Sequence, residues 1–262
     1  MNINELKTKQ ANKEKIAMLT CYDFSTAKIM NQTEVEMILV GDSAAMVMHG
    51  EASTIPMDTE RMLDHVRSVV KGAPDKFIVA DMPFLSFRQS IDCAMNTVKA
   101  FMQAGAHAIK LEAVDGHEAL IKHIVQSGIP VMGHVGLTPQ FINQFGGFKV
   151  QGKDQTSYDK IMADTLKLQQ LGCFSVVLEC VPAELAQKIT LETDLITIGI
   201  GAGNAVDGQV LVVHDLLGYP SSFSPKFVRR YLHVEHLFKQ AFNQYVQDVK
   251  QGQFPNDKES YL

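Results

Sequence analysis

The chain has 262 residues, 46% of them hydrophobic and 20% charged, and a formal net charge of −5. That length suits a single α/β barrel, and that composition supports a large buried core. No basic run exceeds Arg229-Arg230, which argues against the basic stripe of a nucleic-acid-binding surface. No apolar run approaches the roughly 20 residues of a membrane span. The polar opening MNINELKTKQANKEK lacks the apolar core of a secretory signal, so a soluble, cytoplasmic protein without a membrane partner is expected. Cys21, Cys93, Cys173 and Cys180 form no C-x-x-C pair. They read as reduced thiols rather than a zinc knuckle or a redox dithiol.

Taken in chain order, short apolar runs alternate with longer helical patterns. The runs occupy residues 16–20, 37–41, 77–80, 108–111, 130–133, 175–178, 195–199 and 209–213. They are rich in Val, Ile, Leu and Met and do not alternate with polar residues, as expected of parallel strands buried on both faces. Between the second and third runs, residues 59–70 place Met62, Leu63, Val66, Val69 and Val70 on one helical stripe. Residues 90–104 and 158–171 do the same with Val98 and Phe101, and with Ile161 and Leu168. Gly105, Gly128 and Gly172 follow helical stripes, at the place of a helix-terminating glycine. Few residues separate Gly201 from Gln209, so any helix there is short or irregular. A last helical pattern, at 236–249, reads as an added terminal helix. Eight such units predict right-handed βαβ connections closing into a (β/α)8 barrel, one domain over 1–262 with extra terminal helices.

In a parallel barrel the chemistry collects where the strands end. Here the second run ends in Gly41-Asp42-Ser43, the third in Asp81-Met82-Pro83 and the fourth in Lys110-Leu111-Glu112. The fifth ends in Gly133-His134-Val135-Gly136 and the sixth in Glu179-Cys180. Any one of these acids alone reads equally as a helix cap, His134 as a hydrogen-bonded loop histidine and Lys110 as a snorkelling surface lysine. Together they read differently, because clustered carboxylates repel unless a cation or proton intervenes. Asp42, Asp81 and Glu112 make an all-oxygen set suited to Mg2+ or Mn2+. Such an ion can hold a 2-oxo acid and stabilise its enolate. Lys110 and Glu112 share a strand face by period-two alternation, which puts a cation beside the acids for a bound carboxylate or phosphate. Glu179 arrives on a separate strand and is a candidate general base. Gly199-Ile200-Gly201-Ala202-Gly203 is neither a P-loop nor a well-placed Rossmann turn. Gly146-Gly147 is a lid or a tight turn.

These segments add up to a resemblance. LTCYDFSTAK (19–28), LVGDS (39–43), ADMPF (80–84), IKLE (109–112), GHVGLTPQ (133–140), FGGFKVQGK (145–153), LECVP (178–182), IGIGAG (198–203), DGQVLVVHDLLG (207–218) and SPKFVRRY (224–231) span nearly the whole chain in order. The chain resembles the ketopantoate hydroxymethyltransferase family. The resemblance implies a (β/α)8 barrel, a homodecamer, one Mg2+ per subunit and transfer of a one-carbon unit from 5,10-methylenetetrahydrofolate to 3-methyl-2-oxobutanoate in pantothenate biosynthesis. Carried over by motif, Asp42, Asp81 and Glu112 are the expected metal ligands. Asp42, Ser43, Asp81 and Lys110 are the expected oxo-acid contacts, with His134 as a further active-site residue. Glu179 is the expected proton acceptor. One departure is Ala44-Ala45, where the family usually has a bulky apolar residue and then glycine; a positive φ at Ala45 would cost about 1–2 kcal/mol. Carbon–carbon lyases and phosphonate mutases share the metal and oxo-acid logic, but their reactive-cysteine loop, K-K-C-G-H-like, is absent from this sequence. A barrel kept only for assembly or binding would not need all four acids.

Overall fold

Each apolar run forms a strand: it is too short for a typical helix, and being apolar throughout it suits a parallel strand covered on both faces. The computed structural model describes residues 1–221 and 225–261; Ser224, which begins the SPKFVRRY segment, lies outside them. The strands are Ile16–Thr20 (β1), Met37–Val40 (β2), Phe77–Asp81 (β3), Ala108–Lys110 (β4), Val131–Gly136 (β5), Ser175–Glu179 (β6), Ile196–Ile200 (β7) and Gly208–Leu211 (β8). They pair in parallel in sequence order, and β8 returns to β1 with Ile16 beside Gly208, closing the expected barrel. The barrel lies in a unit formed by Met1–Val212; Val213–Leu262 forms a second unit containing the helix Val234–Lys250. Among the described residues, no helix is long and apolar enough to cross a membrane.

The expected helices form with their caps in place. Asp58, Ser90 and Asp154 accept backbone N–H bonds at the starts of Thr59–Gly72, Ile91–Gln103 and Gln155–Gln170. Such a cap contributes roughly 1 kcal/mol. Gly105, Gly128 and Gly172 have φ of +102°, +82° and +89°, which lets the chain leave a helix and turn back into the next strand. No helix forms between β7 and β8, in keeping with the short spacing there.

Two boundaries move the functional residues. β2 stops at Val40, one residue short of expectation, so Asp42 stands free of the strand. β5 runs on to Gly136, which places His134 within a strand rather than in the loop after one.

The barrel interior explains how the strands aim their polar ends. Phe77 and Val79, Ala108, Met132 and Val177 pack in one buried cluster with Met18, Leu39, Ile198 and Val210. Leu6, from the helix Ile3–Ala11, joins the same cluster. Period-two alternation carries that inward face up each strand. Val79 leads to Asp81, Ala108 to Lys110 and then Glu112, Met132 to His134, and Val177 to Glu179. The polar residues are therefore the top layer of the stack whose lower layers are the core.

Candidate active site

Asp42, Asp81, Lys110, Glu112 and His134 are all buried, none more than 4% exposed. Their partners come from one another. The register of β3 on β4 sets Asp81 beside Lys110, and the Lys110 ammonium pairs with Asp81 Oδ1. The same ammonium lies 3.9 Å from Glu112 Oε1. Asp81 Oδ2 accepts the Asp42 backbone N–H at 3.2 Å. Burial opposes charge on Lys110, but Asp81, Glu112 and Asp42 outweigh it and raise its pKa above the usual lysine value. Burial raises Asp42 well above the ordinary carboxyl range, and the neighbouring Asp81 and Glu112 raise it further. Asp81 is raised by burial too, with Lys110 pulling the other way. Glu112 ends up lowered, because His134, Lys110 and a backbone N–H outweigh its burial.

His134 joins this group to Glu179. Its Nδ1 lies 3.4 Å from Glu112 Oε1 and its Nε2 3.2 Å from Glu179 Oε2. Both are ion-pair contacts rather than hydrogen bonds. Burial and Lys110 disfavour the imidazolium, but Glu112 and Glu179 prevail and raise its pKa to about 9. The two flanking carboxylates thus favour the imidazolium form. Glu179 keeps 16% of its side-chain surface exposed, whereas Glu112 keeps 1%. One acid is partly open to solvent and the other is sealed.

Two residues in the network carry no charge, and their types alone did not single them out. Gln140, in the short helix Pro139–Phe141 after β5, donates its backbone N–H to Glu112 Oε2 at 2.9 Å. Its Nε2 reaches Asp42 Oδ2 and the Met82 carbonyl, each at 2.9 Å. It ties together the loops after β2, β3 and β5. Tyr22, after β1, has its hydroxyl 2.9 Å from Ser43 Oγ, so Ser43 is held from the side rather than by the acids. Both lie inside quoted motifs, GHVGLTPQ and LTCYDFSTAK, but only their placement in space distinguishes them.

Backbone geometry around the acids is specific. Ala113, after Glu112, has φ of +63°, and Cys180, after Glu179, has φ of +49°. The chain turns sharply after each acid, at about 1–2 kcal/mol for a residue with a Cβ. The conformation suspected at Ala45 does not arise: Ala45 lies in the helix Ala44–Val47, and its φ is not positive. Gly146 has φ of +64° at the end of the helix Ile142–Phe145, which makes the glycine pair there a tight turn.

Gly136 is the glycine that stands against the backbone of Glu179. It pairs with Glu179 across β5 and β6, has φ of +92°, and an added Cβ would lie 2.3 Å from the Glu179 carbonyl oxygen. Gly136→Ala is expected to push Glu179 out of position. A displacement near 1 Å costs about 100-fold in rate, and strain of this kind costs about 1–3 kcal/mol of stability. Paired kcat and urea-unfolding measurements check this; a kcat within a factor of about two of the parent would show that the backbone absorbs the clash.

The donor chemistry of Asp42, Asp81 and Glu112 is hard oxygen throughout, which fits Mg2+. Among the described residues, no three His, Cys, Asp or Glu side chains stand ready to hold one ion. Mg2+ does not require such a cage: it keeps several waters and commonly takes one or two carboxylates together with oxygens of the substrate.

A family model described as ketopantoate hydroxymethyltransferase matches residues 1–257. A 3-methyl-2-oxobutanoate hydroxymethyltransferase from Bdellovibrio bacteriovorus is 51% identical over 99% of this chain and 98% of its own. One from Coxiella burnetii is 50% identical over 98% of this chain and 97% of its own. Among solved structures, phosphoenolpyruvate phosphomutase from Streptomyces platensis subsp. rosaceus superposes with a TM-score of 0.65 at 11% identity, covering 96% of this chain and 88% of that one. At that identity the likeness is one of fold alone.

Proposed function

Because the chain belongs to the ketopantoate hydroxymethyltransferase family, we propose a division of labour among its rim residues for that family's reaction. The activity is transfer of a hydroxymethyl group to 3-methyl-2-oxobutanoate, forming ketopantoate (2-dehydropantoate). The one-carbon donor in our reading is 5,10-methylenetetrahydrofolate.

Asp42, Asp81 and Glu112 would hold one Mg2+. When bound, the ion supplies Lewis-acid stabilisation of negative charge on the keto oxygen of the oxo acid. Lys110 and Ser43 bind its carboxylate end, Lys110 by charge and Ser43 by a hydroxyl already oriented by Tyr22. Glu179 accepts the C3 proton, and the enolate carbon attacks the methylene carbon of the opened folate iminium. His134 keeps Glu179 in place, with its Nε2 3.2 Å from Glu179 Oε2. Gln140 holds Glu112 and Asp42 in place by bonding to both. The observation that carries this assignment is the contrast between sealed acids gathered around Lys110 and one acid partly open to solvent. A general base must be free to take a proton from substrate, whereas the acids around Lys110 are already engaged by its charge and by Gln140.

We further place the enzyme in the cytoplasm as a homo-oligomer, a decamer by family resemblance. The free, buried thiols of Cys21 and Cys173 suit a reducing compartment. On the helix Val234–Lys250, Phe238, Phe242, Tyr245, Val246 and Val249 are each more than 40% exposed. That apolar stripe favours a subunit contact.

The test is turnover of 3-methyl-2-oxobutanoate with 5,10-methylenetetrahydrofolate, with and without EDTA. Ketopantoate is expected with Mg2+ present, and stripping the ion is expected to cost about 4 kcal/mol of barrel-rim charge stabilisation, or roughly 1000-fold in rate. A rate unaffected by EDTA removes the metal from the assignment, and no product under any condition removes the folate donor.

A further inference from the structure

Beside Ser43, but outside the acid network, two histidines meet ring to ring. His49 follows the short helix Ala44–Val47 and is exposed; His65 lies in Thr59–Gly72 and is half-buried. Their Nε2 atoms are 3.0 Å apart. His65 Nδ1 is 2.7 Å from the Tyr22 carbonyl oxygen. A carbonyl can only accept, so that nitrogen carries the proton. In the neutral ring, His65 Nε2 is then a bare lone pair aimed at His49.

This is the arrangement in which metal-binding histidines are usually found: one nitrogen fixed by a backbone carbonyl, the other free to ligate. We propose that His49 and His65 form a site for one divalent transition-metal ion of the imidazole-seeking class, Ni2+, Cu2+ or Zn2+. Metal–nitrogen bonds of about 2.0–2.1 Å spanning these two nitrogens subtend an angle of about 94°. That angle suits square-planar or tetragonal Cu2+ and Ni2+ as the rings stand. A tetrahedral ion needs the nitrogens about 0.3 Å further apart, which the exposed His49 ring can supply by rotating. Burial, then the His65 ring and Arg61, lower the pKa of His49, while Glu51 and Asp58 act the other way. The ring is accordingly in its ligating form at neutral pH. Among the described residues no third His, Cys, Asp or Glu completes the set, so water fills the remaining positions. Hard Mg2+ prefers carboxylate and water oxygens and competes poorly for two imidazoles.

The geometry also says what the ion would do. It would clamp the segment carrying Ser43 and His49 to the helix carrying His65. Tyr22 touches both sides of that clamp, His65 through its carbonyl and Ser43 through its hydroxyl.

The experiment titrates the full chain with Ni2+ by calorimetry in excess Mg2+, which occupies hard-oxygen sites, and records electron paramagnetic resonance with one equivalent of Cu2+. The expected result is one Ni2+ per chain, weakened about tenfold or more in His49→Ala and in His49→Gln. Glutamine can still donate to His65 but cannot replace an imidazole ligand, so its loss separates a metal site from a plain hydrogen bond. The Cu2+ spectrum is expected to carry splitting from two nitrogens, reduced in either variant. His49 is exposed, so both variants should unfold at the parent's midpoint. Ni2+ affinity unchanged in the variants, absence of a Ni2+ site in the parent, or a Cu2+ spectrum indifferent to His49 overturns the proposal.

Discussion

Replacing Glu179 by Gln is expected to stop exchange of the C3 hydrogen of 3-methyl-2-oxobutanoate for solvent deuterium, with no folate present. Removing a positioned base typically costs about 100- to 10,000-fold, and no second carboxylate of the network is placed to substitute. Asp42, Asp81 and Glu112 are each at most 4% exposed, and Gln140 and Lys110 occupy their oxygens. The amide nearly matches the carboxylate in size, so the pairing of Gly136 with residue 179 across β5 and β6 should survive. Binding of the oxo acid in the presence of Mg2+ is therefore expected to change little, a loss in kcat rather than in ground-state binding. Proton–deuterium exchange followed by NMR checks it. Exchange at the parent rate would mean that another group takes the proton and that Glu179 serves a different step.

Lys110→Met is expected to destabilise the fold by about 3–5 kcal/mol in metal-free buffer, the usual consequence of removing one partner from a buried ion pair. Lys110 is the cation in direct contact with Asp81, and it also faces Glu112. Methionine fills the space but leaves Asp81 with burial as its dominant influence. The sign with pH comes from that imbalance. A carboxyl whose folded pKa is raised costs stability as pH climbs above its unfolded value of about 3.9. The penalty should thus be small near pH 4 and larger at pH 7. Mg2+ is expected to return part of the loss at neutral pH, because it supplies positive charge to the same carboxylates. Urea melts at pH 4 and pH 7, with and without Mg2+, measure all three effects. A variant as stable as the parent at pH 7 would mean that the pairing of Lys110 with Asp81 and Glu112 contributes nothing to the fold.

Much of the site can be read from residue order because a parallel barrel puts every strand end on one rim. Asp42, Asp81, Lys110, Glu112, His134 and Glu179 each close an apolar run, and the closed sheet brings all of them there. Gln140 escapes that reading: an uncharged amide after a proline resembles any loop residue until its nitrogen is seen at Asp42 and Met82. Tyr22 escapes it likewise, since a tyrosine near a strand is more often core. The concern over Ala45 illustrates the opposite limit. A missing glycine implies strain only if the backbone there is left-handed, and that residue is helical. Left-handed backbone falls instead at Ala113 and Cys180, the immediate neighbours of two acids.

The sequence by itself determined the alternation of eight buried strands with helices, the rim on which chemistry gathers, and the residue types that rim presents. Those properties are local, written in the hydrophobic period and in the polar residues that close each run. Only the tertiary structure decided who pairs with whom: Lys110 with Asp81 through the β3–β4 register, and His134 between Glu112 and Glu179. The same holds for His49 facing His65 from a separate segment. Such pairings depend on strand stagger and helix rotation, where a shift of one residue turns a side chain to the other face. A local pattern can name charged groups, but their protonation and their partners are set by neighbours distant along the chain.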